Sequence, residues 1–197
     1  VPKIERNMER DQENTQKQEG PDYSGEGLER DAPGRAESAR RIAGEVPDMT
    51  VGIGTILTTD QVDAALDAGA SFGVSPGTNP SLLRHAAGVG LPFGPGVMTP
   101  TDIDMAVAEG ARFLKFFPAM SSGGIPHLRN IATPFAHLGL RFLPLGGIKP
   151  DNLAEWLDCD FVGAVGGSWL APRDRIADGD WREIEANARE ARRIADG

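Results

Sequence analysis

The chain has 197 residues, 40% hydrophobic and 25% charged, with a formal net charge of −9. That length suits one domain with a sizeable core, and the acidic balance argues against nucleic acid as a partner. Single Cys159 excludes an intramolecular disulfide, no apolar run is long enough to span a bilayer and no signal-peptide pattern is present, so a cytoplasmic protein without a membrane partner is expected.

The first stretch is the least protein-like. Between Val1 and Glu37 the only large aliphatic residues are Val1, Ile4, Met8 and Leu28, and Met8 to Gly20 reads as solvated helix or disorder. An amphipathic helix begins only at Arg35 and runs to Glu45, ending near Pro47. The chain therefore divides into an atypical polar segment, 1–35, and a folded unit, 36–197.

From Val51 onward a short apolar run, a Gly or Pro turn and an amphipathic stretch recur six times, which is the punctuation of βα units. The expected strands are Val51 to Thr55, Ser71 to Ser75, Leu91 to Val97, Arg112 to Pro118, Arg141 to Leu145 and Phe161 to Val165. Thr58, Asn79-Pro80 and Thr99-Pro100 carry N-cap chemistry for the helices Gln61 to Ala68, Ser81 to Ala87 and Thr101 to Glu109. Pro150 opens Asp151 to Leu157 in the same way, and a charged helix from about Trp181 to Ala195 closes the chain. Cys159, just past Leu157, reads as a small core residue.

Six such units imply a parallel sheet, doubly wound or closed as a barrel. Two more strands would complete eight, and residues 1–50 do not look able to supply them.

Lys115 lies in Arg112-Phe-Leu-Lys-Phe-Phe-Pro118, among apolar neighbours. Strand side chains alternate, so Phe113, Lys115 and Phe117 share one face while Leu114 and Phe116 share the other. A strand apolar on both faces is buried on both, which turns the amine inward. A buried amine without a partner is held neutral more readily, and a neutral amine can attack a carbonyl carbon to form a Schiff base. The alternative is a lysine that snorkels to the surface or pairs with a carboxylate. His85, His127 and His137 are scattered without ligand spacing, so no metal or other cofactor is expected.

Gly146-Gly147 and Gly166-Gly167-Ser168 follow the last two expected strands. In (β/α)8 barrels those loops commonly bind phosphate through backbone N–H groups, whereas elsewhere such pairs merely make tight turns. Thr55 and Pro76 also stand at strand C-terminal ends, where barrel active sites are assembled.

With these residues in view, the chain resembles the 2-keto-3-deoxy-6-phosphogluconate (KDPG) and 4-hydroxy-2-oxoglutarate (KHG) aldolases. The resemblance runs from Ala36 to the C-terminus. It rests on Val51-Gly-Ile-Gly-Thr-Ile-Leu57, Ser75-Pro-Gly77, Pro95-Gly-Val-Met-Thr-Pro100, Lys115-Phe-Phe-Pro-Ala119, Gly146-Gly-Ile148 and Gly166-Gly-Ser-Trp169. It implies a (β/α)8 barrel assembled as a homotrimer and a class I aldolase acting on a phosphorylated keto acid. Lys115 would form the Schiff base, Thr55, Pro76 and Phe117 would line the pyruvate site, and Gly146, Gly147, Gly166, Gly167 and Ser168 would hold the phosphate.

Two departures stand out. The family often has Thr before Gly-Gly-Ile, where this chain has Leu145; the lost hydroxyl loosens the assignment of a phosphorylated substrate. The family also carries a second strand of the type L-E-V-T-L-R-T, whose Glu is the general acid and base and whose Arg grips the substrate carboxylate. Here the nearest match is Leu28-Glu-Arg-Asp-Ala-Pro-Gly34, so the acid/base role falls on Glu29, two positions out of register, and no arginine is carried over. A reading-frame disturbance would account for this: Arg30-Asp-Ala-Pro-Gly34 can be encoded as CGT GAC GCT CCG GGN, and one base on that reads Val-Thr-Leu-Arg. Sequencing the gene tests it.

Three functions compete on this reading. The first is cleavage of the phosphorylated acid to pyruvate and glyceraldehyde 3-phosphate. The second is 4-hydroxy-2-oxoglutarate cleavage or oxaloacetate decarboxylation, and the third is a catalytically impaired barrel lacking the acid/base strand.

Overall fold

A computed structural model describes residues 32–197 together with the backbone of Lys3–Ile4. In chain order the elements are β1 (Lys3–Ile4), α1 (Ala32–Glu45), β2 (Gly52–Ile53), α2 (Thr59–Asp67), β3 (Phe72–Val74), α3 (Pro80–Val89), β4 (Phe93–Gly94), β5 (Gly96–Val97) and α4 (Pro100–Ala108). They continue with β6 (Phe113–Phe116), α5 (Gly124–Ala132), β7 (Arg141–Pro144), α6 (Pro150–Leu157), β8 (Ala164–Val165), α7 (Arg173–Ala177) and α8 (Trp181–Asp196). The protein is an α/β fold in which, among the described residues, every strand pairing is parallel.

The lateral order follows the chain. β3 lies between β2 and β4, and β6 lies between β5 and β7. The run expected as one strand, Leu91 to Val97, is two short strands broken at Pro95, which has no N–H to donate to a ladder. Its first half pairs with β3 and its second with β6, while the Pro95 carbonyl accepts from the Lys115 N–H at 2.8 Å. β7 meets the approach to β8 through the pair Phe142–Val162, and β8 pairs with β1.

That last pairing corrects in part the expectation that residues 1–50 could not supply two further strands: one short strand, Lys3–Ile4, lies beside Ala164–Val165. Strand formation there needs only two backbone partners, which an apolar count of the whole segment does not register.

The helices begin as their caps dictate. Thr58, Asn79 and Thr99 each accept a first-turn N–H, and Thr99 forms a full capping box with Asp102. Pro stands at the first position of α3, α4 and α6. Two helices, α5 and α7, lie outside the sequence expectation; neither has a side-chain cap, and α5 follows Gly123, so it carries no local start signal. Among the described residues, no helix is long and apolar enough to cross a membrane.

Burial separates the faces of the sheet. Leu114 and Phe116 of β6 join Val97, Phe142, Val165, Leu128 and Trp156 in a core beneath α4, α5 and α6. Val51, Ile53 and Ile56 pack against Ala39, Val62, Ala65, Leu82 and Ala86 beneath α1, α2 and α3. A third cluster, drawn from strand residues and their immediate continuations, joins Val74, Leu143, Leu145 and Ala164 with Phe72, Phe113 and Phe117. Lys115 belongs to this face, away from the helices. Cys159 is buried in the first core, as expected.

Candidate active site

Lys115 is the third residue of β6, and only 5% of its surface is exposed. Its Nζ lies 4.7 Å from the centroid of the Phe117 ring, two residues on along the same face. The β6 register sets Gly96 on one side of Lys115 and Leu143 on the other. A strand neighbour without a side chain leaves room beside the lysine stem.

That room is closed from above. A Cβ on Gly96 would overlap the Pro76 carbonyl, so the turn Ser75-Pro-Gly77 leans over the strand next to Lys115. Buried Ser75 fixes this turn, its hydroxyl donating to the Gly77 carbonyl at 2.7 Å. Lys115, Phe117 and Pro76, three of the residues expected from sequence, thus converge.

The glycine loops converge beside them. Gly146 and Gly147 have φ of 102° and 80°, a region that favours glycine. They abut the Lys115-Phe-Phe-Pro-Ala119 segment: the Ala119 N–H donates to Leu145 at 2.8 Å and the Met120 N–H to Gly146 at 3.0 Å. A Cβ on Gly147 would lie 2.8 Å from Met120 Cβ. One on Gly167 would lie 2.9 Å from the Ile148 carbonyl, so the two loops touch. Gly166 is buried, and exposed Ser168 opens a short 3-10 turn, Ser168–Leu170.

Thr55 follows the end of β2, with β3 and the β4–β5 strand between it and β6. It is exposed and has φ of 52°, the left-handed region that a β-branched residue seldom adopts. Arg35 donates to the Gly54 carbonyl at 3.2 Å and, more weakly, to the Thr55 carbonyl at 3.5 Å. Sequence reasoning assigned Arg35 to a helix start and gave it no role. The signal it did carry was that of a cation in the first turn of α1, where the helix dipole favours anions and no acidic residue is present. Glu29, the expected acid/base, lies outside the described residues.

The arrangement offers a buried primary amine, an aromatic wall, and two touching glycine loops with backbone amides near an exposed hydroxyl. It can form an imine with a carbonyl compound at one end and hold an anion at the other.

The family model for KDPG and KHG aldolase matches residues 30–187. The chain is 40% identical over 159 residues to the 2-dehydro-3-deoxy-phosphogluconate aldolase of Treponema pallidum, covering 81% of this chain and 75% of that protein. It is 41% identical over 155 residues to the KHG/KDPG aldolase of Escherichia coli K12, covering 79% and 72%. Its fold matches the crystal structure of the KDPG aldolase of Legionella pneumophila, which holds pyruvate as a covalent carbinolamine, with a TM-score of 0.74 and 34% identity over 79% of this chain and 74% of that one.

Proposed function

Since the chain belongs to the KDPG and KHG aldolase family, we propose that it is a class I aldolase, a lyase that cleaves 2-dehydro-3-deoxy-6-phosphogluconate to pyruvate and glyceraldehyde 3-phosphate. The observation that carries this reading is the amine of Lys115, 5% exposed on the face that also bears Phe117. Withdrawal from water favours the neutral, nucleophilic form of an amine. The carbinolamine captured in the Legionella pneumophila enzyme supports the same chemistry here.

In the proposed reaction the Lys115 nitrogen bonds to the C2 carbonyl carbon, and the carbinolamine loses water to give an iminium. A base takes the proton of the C4 hydroxyl, the C3–C4 bond breaks, and its electron pair moves toward the iminium, leaving an aldehyde and an enamine. Protonation at C3 and addition of water then release pyruvate and restore the amine. Glu29 is proposed as the base and then the acid, help worth roughly 10²–10⁴-fold. Thr55, Pro76 and Phe117 line the pyruvate end. Gly146, Gly147, Gly166, Gly167 and Ser168 receive the phosphate, where backbone N–H groups and a following helix favour negative charge.

The proposal includes closure of the sheet as a (β/α)8 barrel, supported by the parallel order from β2 through β7 and by β8 beside β1. It also includes a single aldolase unit over 36–197, a homotrimer, and a cytoplasmic setting; sedimentation equilibrium giving three chain masses tests the trimer.

One observation favours a second substrate. Leu145 is 8% exposed and lies in the apolar cluster with Leu143 and Val74, where the family often places a hydroxyl. This favours an unphosphorylated acid such as 4-hydroxy-2-oxoglutarate, and the Escherichia coli relative carries both names. Pyruvate release measured on both substrates separates the readings: a higher kcat/KM for the phosphorylated acid supports the first, the reverse ranking the second, and release from neither overturns both.

A further inference from the structure

We propose that Arg35 is a positioning residue for the keto-acid site, holding Thr55 in the backbone conformation that presents it at the strand end; this rests on the reading of Thr55 as a pyruvate-lining residue.

Thr55 is the only non-glycine residue with positive φ among the described residues. The φ and ψ of a residue are set by the orientation of the two peptide planes that flank it. At Thr55 both planes are held. The plane before it carries the Gly54 carbonyl, which accepts from Arg35 Nη1 at 3.2 Å. The plane after it carries the Thr55 carbonyl, which accepts from the same nitrogen at 3.5 Å, and the Ile56 N–H, which donates to Val74 of β3 at 3.1 Å.

One residue further on, the Leu57 N–H donates to Gln61 Oε1 at 2.7 Å, so the exit of the turn is also pinned. The hold on β3 and that on Gln61 come from the sheet and α2. The hold on the two carbonyls comes from α1. Two N–H groups on one planar guanidinium nitrogen suit a pair of adjacent carbonyls. A residue whose guanidinium bonds both flanking carbonyls of the one left-handed threonine among the described residues acts on the turn.

The inference is tested by a cycle of Arg35→Ala and Thr55→Gly, reading the pyruvate concentration that gives half-maximal borohydride adduct on Lys115, with each variant's fold checked by circular dichroism. In the unaltered Thr55 background, Arg35→Ala is expected to raise that concentration on the order of tenfold, the scale of one left-handed β-branched residue, with the adduct level at saturation unchanged. In the Thr55→Gly background, where positive φ needs no support, the same change is expected to raise it less than about twofold. Arg35→Lys should recover part of the loss, and it provides the same comparison should Arg35→Ala fail to fold. Equal rises in both backgrounds, or no rise in either, would overturn the inference. No adduct on the unaltered chain would instead overturn the site reading and this inference with it.

Discussion

The two halves of the sheet are built from different materials. The half around β5 to β8 rests on Trp156, Phe116, Phe142, Leu114 and Ile103, all almost wholly buried, and the loops after β7 and β8 carry glycine pairs. The half around β2 to β4 rests on buried aliphatic residues, Val51, Ile53, Ile56, Val62, Leu82 and Leu91 with five alanines and no buried aromatic ring, and its turn after β2 is a threonine held by an arginine from α1. Large side chains pack the strand that carries Lys115 from its helix side, over its ladder bonds to β5 and β7. The other half adds a polar contact from α1, which begins just inside the family match of residues 30–187.

The largest effect should come from the lysine. Lys115→Met keeps an unbranched stem and removes the amine; pyruvate release is expected to fall to background while the melting temperature holds or rises. Continued turnover would move the chemistry elsewhere.

The packing contrast comes next. Trp156→Ala should cost about 3–5 kcal/mol, and Val62→Ala, equally buried in the other half, roughly 2 kcal/mol. Urea unfolding measures both, and equal losses would erase the distinction between the halves.

A smaller change is expected at the glycine loop. Gly147→Ala places a Cβ 2.8 Å from Met120 Cβ on a backbone with φ of 80°. Strain of this kind costs about 1 kcal/mol or more. It should also raise KM for the phosphorylated substrate several-fold more than for the unphosphorylated one. A uniform rise would argue against an anion role for this loop.

The smallest effect belongs to the surface of α8. The hydrogen bond from Arg193 holds the Glu190 carboxyl below the ordinary carboxylate range, and the same bond raises the Arg193 guanidinium. A carboxyl depressed on folding stabilises above its unfolded value and loses that contribution as pH falls through its folded value. The pair is largely open to solvent, its side chains 72% and 42% exposed, so Glu190→Gln should leave the melting temperature at pH 7 within error and flatten only its acid limb.

What could be read in advance was whatever is local and periodic. Alternation along β6 predicted the faces of Phe113, Lys115 and Phe117 and of Leu114 and Phe116, and both clusters agree. Cap residues announced α2, α3, α4 and α6. α5 starts on Gly123 and Gly124 without such a signal and went unread, and the break at Pro95 was hidden inside an apolar run. Motif spacing pointed to the strand ends where Lys115, Pro76 and the glycine loops meet, but the Arg35 contact with Gly54 and Thr55 joins residues nineteen and twenty apart. No periodicity encodes a bond of that kind, since it depends on how α1 lies across the end of β2.

Lys115 is the proposed Schiff-base nucleophile. Borohydride reduction in the presence of pyruvate, followed by intact mass and peptide mapping, tests it most directly. A single reduced adduct on the peptide containing Lys115 is the predicted result; no adduct, or one confined to exposed Lys149, would contradict it.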